Sequence, residues 1–327
     1  MKKIAILGQS SPFTEINIEM PTVSDYDILV EVKAGAFNPV DLKVRNGYAL
    51  NTPKVLGYDA AGVVIATGEL VQHIVSGDSV YYAGDLSRDG SNASMQIVDS
   101  RIVAKKPEKF TYEEAAAIPL TALTAYESLF DRMGITSDSS ESVLIINGAG
   151  GVGSIAIQLL KAKTGCSVIA TASRKESESW CRTMGADYVI DHSQPLKEQL
   201  DSIGIGEVPY ILNCADSTDN VHNMAACIAP QGKITCLVDF KGPVDMNLFK
   251  RKSVTFCWEF MFTRPLFKTS DILRQSVILE ELSTLIDSGK IVTTKSESIG
   301  SLSVETITEG HRRIAEGKTI GKLTWTV

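Results

Sequence analysis

Residues 142–153 read Ser142-Val143-Leu144-Ile145-Ile146-Asn147-Gly148-Ala149-Gly150-Gly151-Val152-Gly153. An apolar, strand-like run ends in a GxGxxG turn, and the residues after the turn have helical spacing. Val152, Ile155, Ala156, Leu159 and Leu160 recur at the i, i+3, i+4, i+7, i+8 intervals of a stripe packed onto a sheet. A bare GxGxxG is a weak pattern, since any glycine-rich strand-to-helix turn satisfies it. Set between a strand and a helix, it gains a mechanism. Gly148, Gly150, Gly151 and Gly153 let the backbone turn tightly, and with Val152 they leave amides and the positive helix end open to a pyrophosphate.

Outward from this point, β-like and α-like segments alternate as far as residue 261. Strands are expected at 142–147, 167–172, 187–190, 209–214, 233–238 and 253–258. Such alternation marks a parallel sheet with helices on both faces, and six strands complete a doubly wound Rossmann sheet. Upstream, runs at 28–32, 61–66, 79–82 and 94–98 are short, β-like and separated by turn-rich stretches such as 75–78 and 88–92. That half reads as mostly β. Helical spacing is expected over 112–132, 270–288 and 304–316, with a closing strand at 321–325. At the N-terminus, Lys2 and Lys3 precede a short apolar run that Gly8, Gln9 and Ser10 cut off. The run is too short for a signal peptide and is expected to be a first strand.

The second strand of a dinucleotide fold ends beside the adenosine ribose, where NAD enzymes commonly carry an acidic residue. This chain has Ala172-Ser173-Arg174-Lys175 there. A hydroxyl and two cations suit a 2'-phosphate, so the expected cofactor is NADPH. The competing reading, with Glu176 adjacent, is a solvated strand end.

Composition narrows the classes further. A chain of 327 residues with 44% hydrophobic and 22% charged residues has material for two cores. Its longest apolar run falls well short of the roughly 20 residues of a membrane helix. The net charge of -7 has no basic cluster, which argues against a nucleic acid or an acidic membrane as partner. Six cysteines without a CxxC pair read as small buried apolar residues in a reducing cytoplasm. The histidines, His73, His192, His222 and His311, show no metal-ligand spacing.

The β-rich start, the central GAGGVG and the returning tail resemble the medium-chain dehydrogenase/reductase superfamily. Closer markers are Asn38-Pro39-Val40-Asp41, residues 56–62 (LGYDAAG), 118–125 (IPLTALTA) and 258–264 (WEFMFTR). These look like the zinc-type alcohol dehydrogenase-like branch beside the quinone oxidoreductases. The resemblance implies a GroES-like substrate domain over 1–119, a Rossmann domain over 120–262 and a segment over 263–327 returning to the first, with the active site in the cleft between. In zinc alcohol dehydrogenases a Cys precedes the aspartate of the first motif and a His stands in the second. Here those positions are Asn38 and Tyr58, and neither Leu120 nor Thr121 supplies the third ligand. No cysteine lies in 85–98, where the family's structural zinc would sit. A zinc-free site is expected.

Without a Lewis acid, a quinone or α,β-unsaturated carbonyl suits the site better than a simple ketone, because it spreads the charge left by hydride over a conjugated oxygen. Candidate hydrogen-bond donors are Asn38, Tyr48 and Tyr58, with Asp41 orienting one of them. Each is equally readable as a loop amide, or a tyrosine satisfied locally. The resemblance further implies that Asn38, Thr121, Thr124 and Leu237 approach the nicotinamide side of the nucleotide, that Lys322 returns to the cofactor and that His192 approaches the adenine-side ribose. An NADP-dependent alcohol dehydrogenase or aldehyde reductase, and a non-catalytic NADPH-binding sensor, are the alternative readings. The β-branched and aromatic run at 253–258 is expected at the outer edge of the sheet, inviting a homodimer by strand addition unless the 270–288 helix covers it.

Overall fold

The computed structural model describes residues 1–8, 11–19, 21–49 and 52–327. They divide into two compact units, Thr124–Met261 on one hand and Met1–Leu123 with Phe262–Val327 on the other.

In the first of these units the expected apolar runs become six strands: β1 (Ser142–Ile146), β2 (Ser167–Thr171), β3 (Tyr188–Ile190), β4 (Val208–Asn213), β5 (Ile228–Cys236) and β6 (Thr255–Trp258). All neighbouring pairs are parallel, and their order is β3-β2-β1-β4-β5-β6. This is the doubly wound order, in which the direction of winding reverses between β1 and β4. A ligand crevice belongs outside the carboxyl ends of the strands at that reversal. The Gly151–Lys163 helix leaves β1 with Ile155, Ala156, Leu159 and Leu160 of the expected stripe buried and Val152 half-buried; Ile157, off that stripe, is buried as well. The fifth strand starts earlier than 233 because Ile228 already pairs with Val208. The ladder then shifts register, with Gln231 in left-handed backbone (φ 62°) at the irregularity.

The other unit holds two sheets. In the smaller, Lys2–Ile6 lies between Thr14–Asn17 and Lys54–Val55, both antiparallel to it. The strand expected at the N-terminus is therefore present, while Gln9 and Ser10, two of the residues expected to end it, lie outside the described residues. In the larger sheet Asp27–Ala36 pairs with Ala60–Thr67, Met95–Asp99 and the closing strand Lys322–Thr326, all antiparallel. Ile28, Val30, Val32, Val64, Val80 and Trp325 fill a common core.

Two helical expectations need correction. The 112–132 stretch is three pieces: Tyr112–Ala116, Pro119–Tyr126 and a π-helical Glu127–Arg132. Proline has no amide to donate and its ring disfavours helical backbone before it, so a new helix starts at Pro119. The 270–288 stretch becomes a helix only over Arg274–Asp287, after a separate Thr263–Phe267 turn that ends on Lys268 in left-handed backbone. That later helix packs on the Val103–Lys105 strand of its own unit, and its Leu279 carbonyl accepts from the buried Tyr81 hydroxyl at 2.5 Å. All six cysteines are free thiols. Among the described residues no helix is long and apolar enough to cross a membrane.

Candidate functional site

In the nucleotide unit, the glycines of the loop serve different ends. A Cβ on Gly148 would stand 2.6 Å from the Cβ of Ala170 on β2, and one on Gly153 would stand 2.6 Å from the Asn147 carbonyl oxygen. The protein's own packing requires those two. Gly150 differs: its backbone is ordinary (φ -73°), and a Cβ there would come no nearer than 3.3 Å to the Asn147 side-chain amide and 3.6 Å to the Asn147 carbonyl oxygen. A side chain there would thus crowd only the preceding Asn147 rather than the rest of the fold, so the fold itself asks less for glycine at 150 than at 148 or 153. Asn147 makes the turn in left-handed backbone (φ 64°), and its amide donates to Thr171 Oγ1 at 2.9 Å. Thr171 Oγ1 in turn bonds His192 Nδ1 at 3.1 Å, tying the loop to the residue expected near the ribose.

Ser173, Arg174 and Lys175 line a cavity of about 320 Å³ together with Val189, Asp191 and Gln199. All three lie exposed at the carboxyl end of β2. Lys175 opens the next helix, Lys175–Thr183, whose first turn is pinned by the Arg174 amide donating to Ser177 Oγ at 3.2 Å. Gln199 clamps the far wall, accepting from the Asp191 amide and donating to its carbonyl, both at 2.8 Å. Leu237 follows β5 directly and is half-buried, its amide donating to the Asn213 carbonyl at 3.3 Å. Thr121 and Thr124 are buried one turn apart on the Pro119–Tyr126 helix.

In the other unit the first and second motifs meet the end of the chain. Lys322, 3% exposed, donates to the Phe37 carbonyl at 2.9 Å, Asn38 Oδ1 at 2.5 Å and Asp59 Oδ2 at 2.9 Å. An ammonium has three protons, so none remains for another acceptor. Asn38 Nδ2 donates to the same Asp59 oxygen at 2.8 Å. Asp41 Oδ2 accepts from the Asn38 amide at 2.8 Å. Of the expected donors, Asn38 is thus engaged at both ends of its side chain. Tyr48 stands apart, its hydroxyl bonded to the Thr52 carbonyl at 2.9 Å and to Thr52 Oγ1 at 2.7 Å. Tyr58 is buried, edge-on to Phe262 with ring centroids 5.5 Å apart, and its hydroxyl finds no partner among the described residues. Asp59 was not singled out from the sequence. Its signal is a carboxylate placed directly before the apolar strand Ala60–Thr67, where only a paired charge can be buried.

Burial dominates the electrostatics here. It pushes the Asp41 carboxyl up to about 7, against the opposing pull of the Asn38 amide and the Lys322 charge, and Asp59 adds to the rise. Burial likewise raises Asp59, offset chiefly by Lys322, and holds Tyr58 far above the usual phenol range, with Asp41 contributing. Tyr58 is therefore a proton-bearing donor at neutral pH.

This geometry has two measurable consequences. Gly150→Ala should fold with near-native stability but bind a dinucleotide at least about tenfold more weakly, whereas Gly153→Ala should destabilise the fold by about 1–3 kcal/mol. Calorimetry and nucleotide titration check both; equal affinity for Gly150→Ala and the parent would show that no phosphate uses that space. Asp41 has a folded pKa above its unfolded one, so its stabilising influence is complete below about pH 4 and is lost as pH rises to about 7. Asp41→Asn retains an acceptor for the Asn38 amide. Its melting temperature relative to the parent should climb from pH 4 to pH 7 and then level off; a difference independent of pH would contradict the raised carboxyl.

The comparisons with known proteins agree with this architecture. Residues 24–108 match the alcohol dehydrogenase GroES-like domain family and residues 151–271 the zinc-binding dehydrogenase family. A zinc-type alcohol dehydrogenase-like protein of Staphylococcus aureus is 44% identical over 322 residues, covering 97% of this chain and 96% of the relative. The NADPH-dependent alkenal/one oxidoreductase of Arabidopsis thaliana is 37% identical over 198 residues, covering 57% of this chain and 50% of the relative. A crystal structure of a putative zinc-dependent alcohol dehydrogenase from Rhizobium etli superimposes with a TM-score of 0.96 at 39% identity, covering 100% of this chain and 98% of that one. With near-complete coverage at that identity, the chain belongs to the zinc-type alcohol dehydrogenase-like branch of the medium-chain dehydrogenase/reductase superfamily, a family of oxidoreductases.

Proposed function

We propose that this chain is a zinc-independent, cytoplasmic, NADPH-dependent reductase of quinones or α,β-unsaturated carbonyls. The observation that carries the reading is the buried Asn38, Asp59 and Lys322 cluster: an ammonium, already saturated by oxygen acceptors, sits beside a position where zinc enzymes of the family hold a ligand. The Arabidopsis relative's name points to the same substrate class and nucleotide. Bound NADPH would supply the hydride. Gly150 and the Gly151–Lys163 helix would receive its pyrophosphate and Ser173, Arg174 and Lys175 its 2'-phosphate. Thr121, Thr124, Leu237 and His192 would border the rest of the nucleotide. Tyr58 would present its unspent hydroxyl to the substrate oxygen on which charge gathers, in surroundings where one hydrogen bond has large effect. A purified sample should oxidise NADPH with enones or quinones, hold substoichiometric zinc by elemental analysis and keep its activity after chelation. Activity lost on chelation and restored by zinc would defeat the proposal, and turnover confined to simple aldehydes would favour the alternative.

Selectivity for NADPH rests on the three residues lining the cavity beyond β2. Replacing both Arg174 and Lys175 by Ala should weaken NADPH binding by about 10- to 100-fold while changing NADH little. Titration of both nucleotides decides it; equal losses would mean that the pair does not read the phosphate.

We also propose that two copies join through β6. Among the described residues this strand pairs only with β5, and on it Trp258 is 49% exposed within a cluster with Phe240 and Phe256, whose rings lie 5.4–5.9 Å apart. Strand addition about a two-fold axis satisfies both edges and covers the rings. Light scattering at micromolar concentration should give twice the chain mass, and Trp258→Glu should shift it to the monomer. A parent monomer, or a variant that stays fully dimeric, rules this interface out.

A further inference from the structure

We propose that Asp59 is the positioning residue of the reductase site, the side chain that holds Asn38 and the first turn of the Pro119–Tyr126 helix in one frame. The step it serves rests on the reductase reading above; the contacts do not. Asp59 is fully buried. Its Oδ1 accepts from the Leu120 amide at 2.8 Å, and its Oδ2 accepts from Asn38 Nδ2 at 2.8 Å and from Lys322 Nζ at 2.9 Å. Leu120 lies in the first turn of its helix, where amides have no acceptor within the helix, and a carboxylate there is favoured by the helix dipole as well. The next residue is Thr121, and Thr124 is one turn on. One oxygen of Asp59 therefore fixes the helix that carries both threonines, while the other fixes Asn38.

The amide of Asn38 has no freedom left. Its oxygen faces the Lys322 ammonium and its nitrogen the Asp59 carboxylate. A flip would set donor against donor and acceptor against acceptor. Lys322 bonds Asn38 and Asp59, but the helix amide bonds Asp59, so the path from Asn38 to the helix runs through this carboxylate. Asp59 transfers neither proton nor hydride and acts only through these neighbours. A buried ion pair is often replaceable by apolar residues at little cost in stability, so alignment is the contribution that such a replacement would expose.

The test uses the full chain with three changes: Asp59→Asn, Lys322→Met and the two combined. Lys322→Met alone leaves a buried carboxylate without its cation and should lower the melting temperature most; the double variant should regain much of that loss. Turnover should not follow stability. In both variants lacking Asp59, kcat with the best enone should fall about 10- to 100-fold with KM nearly unchanged. Exchange of the Asn38 side-chain amide protons, followed by NMR, should accelerate at least about tenfold in the same two proteins, as expected when a buried bond opens. A double variant with kcat within about twofold of the parent, or unchanged amide exchange in both, overturns the proposal. Should Asp59→Asn not fold, the double variant is compared with Lys322→Met, from which it differs only by the loss of Asp59; equal kcat and equal amide exchange in the two overturn the proposal. If none of the enones or quinones supports NADPH oxidation by the parent, the reductase reading fails by itself, and amide exchange still decides whether Asp59 positions Asn38.

Discussion

A buried ammonium has to find three acceptors, and Lys322 finds them on residues 37, 38 and 59, far from it in sequence. Removing one partner of such a set leaves an uncompensated charge at a cost of about 3–5 kcal/mol. The tail is held in place accordingly. The Phe37 amide donates to the Leu323 carbonyl at 3.0 Å, and Thr324 pairs with Ala36 across the antiparallel ladder, so the closing strand and the first motif lock together in register. This is why the GroES-like unit is built from two separated pieces of chain: its polar centre is incomplete without Lys322.

The nucleotide unit is governed by a constraint of space rather than charge. Where Gly148 approaches β2 and Gly153 approaches the Asn147 carbonyl, any side chain would force the backbone apart. These close approaches draw the start of the Gly151–Lys163 helix onto the end of β1, with Gly150 between them less tightly approached, 3.3 Å from the Asn147 side chain. Packing thus claims Gly148 and Gly153, while Gly150 is the glycine of the motif proposed to receive the pyrophosphate. Only the three-dimensional surroundings of each glycine separate the two roles.

Much of this was legible in the sequence where a pattern has one dominant cause. The six strands of the parallel sheet could be read because their strongly apolar runs alternate with helices, and the phosphate loop because glycine tolerates what other residues cannot. Helix ends were harder, since Pro119 interrupts a stretch whose apolar spacing continues through it. The edge strand Lys295–Ser301 was missed: KSESIGS is polar, mostly exposed and defined by pairing with Lys322–Thr326, not by its own pattern. Asn38, Tyr58 and Lys322 could be named from motif and chain position, but the number of partners each has could not. Tyr48 illustrates the limit: as a tyrosine near the first motif it looked equivalent to Tyr58, yet its hydroxyl is occupied by Thr52 while that of Tyr58 is not.

The proposed preference for conjugated acceptors rests on the difference between an ammonium and a metal ion. Zinc accepts lone pairs from Cys, His or carboxylate and keeps a position open, so that a substrate oxygen can join its shell and be polarised directly. Lys322 is surrounded by a carbonyl, an amide oxygen and a carboxylate, all acceptors, and has no proton left to offer. Positive charge is present but closed to a substrate oxygen. In the proposed reaction polarisation would fall to neutral donors such as Tyr58, which stabilise a localised alkoxide less well than a metal does. A substrate that spreads its own charge over a conjugated oxygen asks less of them, and that is the physical basis for placing quinones and enones ahead of simple alcohols and ketones.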